Sequence, residues 1–227
     1  MKFKRLLIGA AAGFLGVMTA PASADLQFTF NNGGSVGNGP FGSVLLHQVV
    51  TNEVEVTVTL NSGVGFVNTG LEPFTFSLAS GIPQLTAASF GSLTSGFSLS
   101  SSIPFGNNDG AGAFQYGLDC TTVVCGNGGN APFAGPLHFF LTATGLLETS
   151  FVGYTNPNNN QTNPNAFSID ICNSFTAGNG CAGATGASWA TTGGEPPPPQ
   201  QVPEPQTLAL LALGLFAITL IRKQSKA

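Results

Sequence analysis

Positive charge is missing from most of this 227-residue sequence. Its six Lys and Arg are Lys2, Lys4, Arg5, Arg222, Lys223 and Lys226, all close to one end or the other. The 180-residue stretch Asp25–Glu204 has none yet holds all ten acidic residues, so the formal charge of −4 averages two unlike objects. Charged residues make up 7% of the chain, against about 25% in an ordinary soluble domain. A surface without cationic side chains cannot neutralise phosphates, which excludes nucleic acid as a partner. Nucleotide and phosphosugar enzymes lose their usual Arg and Lys clamps by the same argument. No Lys or Arg salt bridge can form inside the stretch. Its stability must come from apolar burial, backbone hydrogen bonds and disulfides.

Catalytic patterns are equally scarce. His47 and His138 are the two histidines. There is no Gly-x-Ser-x-Gly elbow; the nearest string, Gly186-Ala187-Ser188-Trp189-Ala190, lacks the final glycine. A glycosidase needs two facing carboxyls, and nothing marks any two of Glu53, Glu55, Glu72, Asp109, Asp119, Glu148 and Asp170 as such a pair. Glu53 and Glu55 read as a solvated strand face that discourages edge pairing. No catalytic residue is assigned, and the chain is expected not to be an enzyme.

What the middle does contain is period-2 alternation. Leu26, Phe28 and Phe30 share one face of a strand, and Val54, Val56, Val58 and Leu60 another, with Glu53, Glu55, Thr57 and Thr59 facing out. The pattern recurs at Phe74, Phe76 and Leu78, at Phe97 and Leu99, and at Phe114, Tyr116 and Leu118. It returns at Leu137, Phe139 and Leu141 and at Phe167, Ile169 and Ile171, with Gly, Asn, Ser and Pro clusters between runs. No window shows a convincing helical stripe; Val44–Val50 comes nearest and suits a strand as well. Seven to nine short antiparallel strands predict an all-β fold, a jelly-roll-like β-sandwich over residues 25–192. Sixteen of the 19 phenylalanines fall in the Asp25–Glu204 stretch and read as its core. A sugar-binding module is the alternative function, with Trp189, Tyr116 or Tyr154 and Asn side chains as exposed contacts. Asn156–Asn165 reads as a long solvated loop.

Four cysteines allow three pairings. Spacing favours the local ones, Cys120 with Cys125 and Cys172 with Cys181, each closing a short loop. A Zn site is disfavoured because the CxxC spacing is absent and no His lies near either pair. Gly106-Asn107-Asn108-Asp109-Gly110 offers oxygen ligands suited to Ca²⁺, with Asp119 or Asp170 adding a carboxylate. The same string is ordinary turn chemistry, which is the preferred reading, so no cofactor is expected beyond this Ca²⁺ alternative.

Both ends read as addresses. Residues 1–24 combine the basic Lys2, Lys4 and Arg5, the apolar Leu6–Val17 and the small-residue site Ala22-Ser23-Ala24, a secretory signal for the Sec translocon with cleavage between Ala24 and Asp25. Residues 193–201 form a Gly/Pro-rich linker whose Pro196–Pro199 favour an extended polyproline spacer. Residues 202–227 comprise Val202-Pro203-Glu204-Pro205, an apolar transmembrane helix over 207–221, and a basic tail, 222–227, in which Arg222, Lys223 and Lys226 keep that end cytoplasmic.

A Pro-Glu-Pro motif, one short hydrophobic helix and a basic end, in that order at the extreme C-terminus, resemble the PEP-CTERM sorting signal. The resemblance implies that exosortase, an integral-membrane cysteine enzyme, processes the tail near Glu204. It also implies transient inner-membrane anchoring, then release to the cell surface or the exopolysaccharide matrix of a Gram-negative bacterium. It says nothing about the fold of residues 25–192. The leading expectation is a non-catalytic surface or biofilm-matrix protein with exopolysaccharide as a further partner.

Overall fold

A computed structural model describes residues 25–70, 72–100, 110–126, 129–155, 162–176 and 179–191. In chain order the strands begin with β1 (Leu26–Thr29), β2 (Asn32–Gly33), β3 (Gly42–Val50), β4 (Glu53–Leu60), β5 (Gly65–Phe66), β6 (Phe74–Phe76) and β7 (Phe90–Gly91). They continue with β8 (Phe97–Leu99), β9 (Tyr116–Cys120), β10 (Leu137–Thr142), β11 (Tyr154–Thr155), β12 (Thr162–Asn163), β13 (Asn165–Cys172) and β14 (Thr185–Thr191). Helix among the described residues is confined to one α turn, α1 (Thr122–Cys125), and two 3-10 turns, Ala87–Ser89 and Glu148–Ser150. The ambiguous Val44–Val50 run is strand, within β3.

Five strands make one sheet, in the order β1-β3-β4-β10-β7. The second runs β2-β14-β13-β6-β9-β8, with β5 also against β13, while β11 and β12 pair separately. The pairings within both sheets are antiparallel. In β4 the alternation works as a strand buried on one face requires: Val54, Val56 and Val58 are fully buried, while Glu53, Glu55, Thr57 and Thr59 point away from the core. Asn52 closes the tight turn between β3 and β4 with a positive φ of 70°, a conformation that Asn tolerates better than most residues. Its side-chain oxygen also accepts from the Gly145 amide at 2.7 Å, tying that turn to the 143–150 segment.

The two sheets meet through phenylalanine. Phe139 on β10 lies 6.1 Å from Phe74 and 6.3 Å from Phe76, both on β6 of the opposite sheet. Phe28 on β1 meets Phe167 on β13 edge-on at 4.9 Å. These separations fall in the favourable range for aromatic pairs, and each fully buried Phe contributes roughly 1.5–3 kcal/mol of transfer free energy. The result is the antiparallel sandwich that the alternation predicts.

The sheets differ in how their far faces are treated. All eight residues of β13 are buried, outward as well as inward. The second sheet is therefore covered on both sides: Thr69 reaches Asp170, and Ala111 and Phe114 pack with Ala187 and Trp189. Phe114 thus departs from the expected strand face. Strand β9 starts only at Tyr116, and Phe114 joins this outer cluster while Tyr116 and Leu118 enter the main core. Asn163 and Asn165 also depart from the solvated-loop expectation. Both are buried, and their amides donate to the carbonyls of Ala113 at 2.8 Å and Ala111 at 2.7 Å, holding the covering segment down.

Two disulfides join Cys120 to Cys125 and Cys172 to Cys181, the local pairs favoured by spacing. The first staples α1 against the end of β9. Gly96 lies beneath it with φ of +87°, and its missing Cβ leaves the space that the Val124 side chain fills. In contrast to the second sheet, the outer face of the five-stranded sheet carries no covering layer among the described residues.

Candidate functional site

That open face gathers both histidines of the chain. Strand β4 is not an edge strand; it lies between β3 and β10. Glu53 and Glu55 therefore do not guard an edge, as their pattern suggested. In register, Glu55 has His47 opposite it on β3 and Phe140 opposite it on β10. Its Oε1 lies 2.8 Å from Nε2 of His138, two residues before Phe140 on β10 and on the same face. Asp25 Oδ1, just ahead of β1, lies 2.6 Å from His47 Nδ1. The His138 ring stands edge-on to Phe140 at 5.1 Å, and Glu53 accepts from the Thr142 hydroxyl at 3.3 Å.

A depression of ≈ 260 Å³ opens on this face, lined by Asp25, Leu45, His47, Glu55 and Thr57. It falls below the about 300–1,000 Å³ of clefts that enclose drug-sized ligands. Each imidazole is oriented by a carboxylate, and neither ring is hydrogen-bonded to a hydroxyl or thiol among the described residues. Such an arrangement presents carboxylate oxygens, imidazole edges and apolar patches to solvent. The separate positions were legible in the sequence as outward residues of alternating strands. Their convergence was not, because it depends on β10 pairing with a strand some eighty residues earlier.

The far side of the second sheet holds a different polar layer. Asn68 donates to Asp119 Oδ1 at 2.8 Å, and Thr69 donates to Asp170 Oδ2 from its amide at 2.9 Å and its hydroxyl at 2.6 Å. The Ser100 hydroxyl donates to Glu72 Oε1 at 2.8 Å. Burial raises the Glu72 pKa above the ordinary carboxylate value; the Ser100 hydrogen bond opposes this and the nearby Asp119 charge adds to it. These bonds tie Asn68 to β9, Thr69 to β13 and Glu72 to the residue that follows β8. Asp119 Oδ1 also accepts the Cys120 amide at 2.7 Å. Among the described residues no group of three or more His, Cys, Asp or Glu side chains is placed to hold a metal ion. Asn107 and Asp109, the other Ca²⁺ candidates, lie outside the described residues.

Of the aromatic residues considered for sugar contact, Tyr116 is fully buried, and its hydroxyl accepts from the Leu85 amide at 3.3 Å. It is a core residue: its strand position points it between the sheets, so it cannot touch a glycan. Trp189 is half-buried beside Ala111, Phe114 and Ala187. The Tyr154 side chain is outside the described residues, as are Ala24 and the signal peptide, the 193–201 linker, Val202-Pro203-Glu204-Pro205, the 207–221 helix and Arg222, Lys223 and Lys226. Among the described residues no helix is long and apolar enough to cross a membrane.

Comparison with known proteins decides what the tail is. Residues 201–224 match the family model of the PEP-CTERM protein-sorting motif. The chain carries a PEP-CTERM sorting signal. The match spans Val202-Pro203-Glu204-Pro205, the apolar run and the first two residues of the basic cluster, Arg222 and Lys223; Lys226 falls just beyond it. A PEP-CTERM signal marks an exported protein routed to the cell envelope or surface, with exosortase as its processing partner. No curated protein and no solved structure matches the chain.

Proposed function

We propose that the processed chain is a non-catalytic structural protein of the bacterial surface, held in the exopolysaccharide matrix of a biofilm. The sorting signal carries this reading, because it routes an acidic, cation-free sandwich to the cell envelope or surface, the side on which such a layer would lie. Two observations support the structural part. Both imidazoles are engaged by carboxylates, and neither is hydrogen-bonded to a hydroxyl or thiol among the described residues. The acids behind the second sheet spend hydrogen bonds on tying down a loop. The route runs through the Sec translocon and a transient inner-membrane stage before release.

Fractionation tests the proposal. The processed chain should co-purify with the salt-washed exopolysaccharide layer of a producing strain. Recovery only from the culture fluid or the inner membrane contradicts it, and so does release of new reducing ends from that polysaccharide by the purified chain.

A second reading, a sugar-binding module, is favoured by the uncovered face of the five-stranded sheet. There Leu45 and Phe140 offer apolar surface beside Thr57, His47 and Glu55. Flat open sheet faces with a few half-exposed rings suit an extended chain of sugar units, whose ring faces are apolar and whose edges carry hydroxyls.

A further inference from the structure

We propose that the open face of the five-stranded sheet binds a polysaccharide carrying free, protonated amino groups, of the glucosamine type. The inference rests on the sugar-binding reading and assigns its ligand class by charge.

Between Asp25 and Glu204 there are ten acidic residues and no Lys or Arg. A polyanion such as a uronic acid polymer would meet no cationic clamp and a repulsive field reaching about 8 Å at physiological ionic strength. A chain bearing ammonium groups meets the opposite field. On the open face, carboxylates stand where ammonium groups can reach them. Glu53 and Glu55 follow each other on the outward side of β4, about 6.7 Å apart at strand spacing. Asp25 lies beyond β3 on the same face, two strand spacings or roughly 10 Å away from β4.

These acids are accessible, and each keeps acceptor capacity. Side-chain exposure is 31% for Asp25 and 33% for Glu55. One oxygen of each contacts an imidazole; Asp25 Oδ2 and Glu55 Oε2 accept no hydrogen bond from any described residue. Charge-assisted bonds from an ammonium to such oxygens are stronger than neutral ones. Leu45 in the depression and Phe140 beside it supply surface for the apolar face of a sugar ring, and Thr57 supplies a hydroxyl partner. The opposing charges on this face are the imidazoles of His47 and His138 when protonated, and the α-ammonium that cleavage before Asp25 would create. Glu53, Glu55 and Asp25 still leave the face anionic at neutral pH.

The processed chain should be titrated with a glucosamine hexamer and with an N-acetylglucosamine hexamer in near-neutral, low-salt buffer. The amino hexamer should bind at least about tenfold tighter, the weight of one charge-assisted hydrogen bond. Glu55→Gln should lose about tenfold of that binding. Glu53→Gln, which leaves the His138 contact intact, should weaken it in the same direction. Asp119→Asn removes the same charge on the far side of the second sheet and should change binding by less than about twofold. Equal losses in Glu55→Gln and Asp119→Asn reduce the effect to overall charge and overturn the site. Equal binding of the two hexamers overturns the amino-sugar assignment and leaves sugar binding standing. Binding of neither hexamer overturns both.

Discussion

Asp25 Oδ1 sits 2.6 Å from Nδ1 of His47, so the residue at which the mature chain is expected to begin is already docked on the folded domain. The contact is partly exposed, with side-chain exposures of 31% and 45%. Exposed ion pairs and their hydrogen-bonded equivalents contribute little. Replacing Asp25 by Asn should therefore shift unfolding stability by less than about 0.5 kcal/mol in urea denaturation. A loss of several kcal/mol would show that this contact organises the first strand.

Glu72 should behave in the opposite sense to most folded-state carboxylates. Burial first, with the Asp119 charge adding to it against the Ser100 hydrogen bond, raises its pKa above the ordinary 4.5. A carboxyl raised in the folded state holds its proton more tightly there than in the unfolded chain. Its contribution is fully present below pH 4.5 and is lost as pH climbs through the raised value. Glu72→Gln keeps an acceptor for Ser100 and removes the buried charge. Its urea midpoint should exceed the parent's at neutral pH and equal it well below pH 4.5. A variant less stable at neutral pH contradicts the assignment.

The disulfides close loops of sequence separation 5 and 9. Loop-closure entropy assigns about 2 kcal/mol to the first and about 2.5–3 kcal/mol to the second. Replacing Cys120 and Cys125 together by Ser should lower the unfolding free energy by the smaller amount, and the Cys172 and Cys181 pair by the larger. Denaturant titration of the two double variants checks the order.

The core was readable because its signal is local. Val54, Val56 and Val58 alternate with Glu55, Thr57 and Thr59, and a strand with that pattern must bury the first set wherever it is placed. The cysteine pairs were readable for the same reason, since short loops restrict partners. The open face was not. His47, Glu55 and His138 become neighbours only through the pairing order β3-β4-β10, and that order depends on a long connection that leaves no local trace. Tyr116 and Phe114 show the complementary failure: one alternating run, Phe114-Tyr116-Leu118, is split between two sides of a sheet because β9 begins two residues late. Asn163 and Asn165 look like loop residues by composition, yet they are buried as props for the 111–113 backbone. Composition reports average solubility and is blind to a polar side chain with a particular carbonyl to satisfy.

The central claim is that the tail at residues 201–224 is a processed sorting signal. Its most direct test is the intact mass of the protein recovered from matched strains with and without exosortase. With the enzyme, the mature mass should correspond to a chain that starts at Asp25 and ends near Glu204, released from the inner membrane. Without it, the chain should keep every residue through Ala227 and remain in the membrane fraction. Glu204→Ala should reproduce that result in the strain that has the enzyme. Identical masses in the two strains would contradict the account.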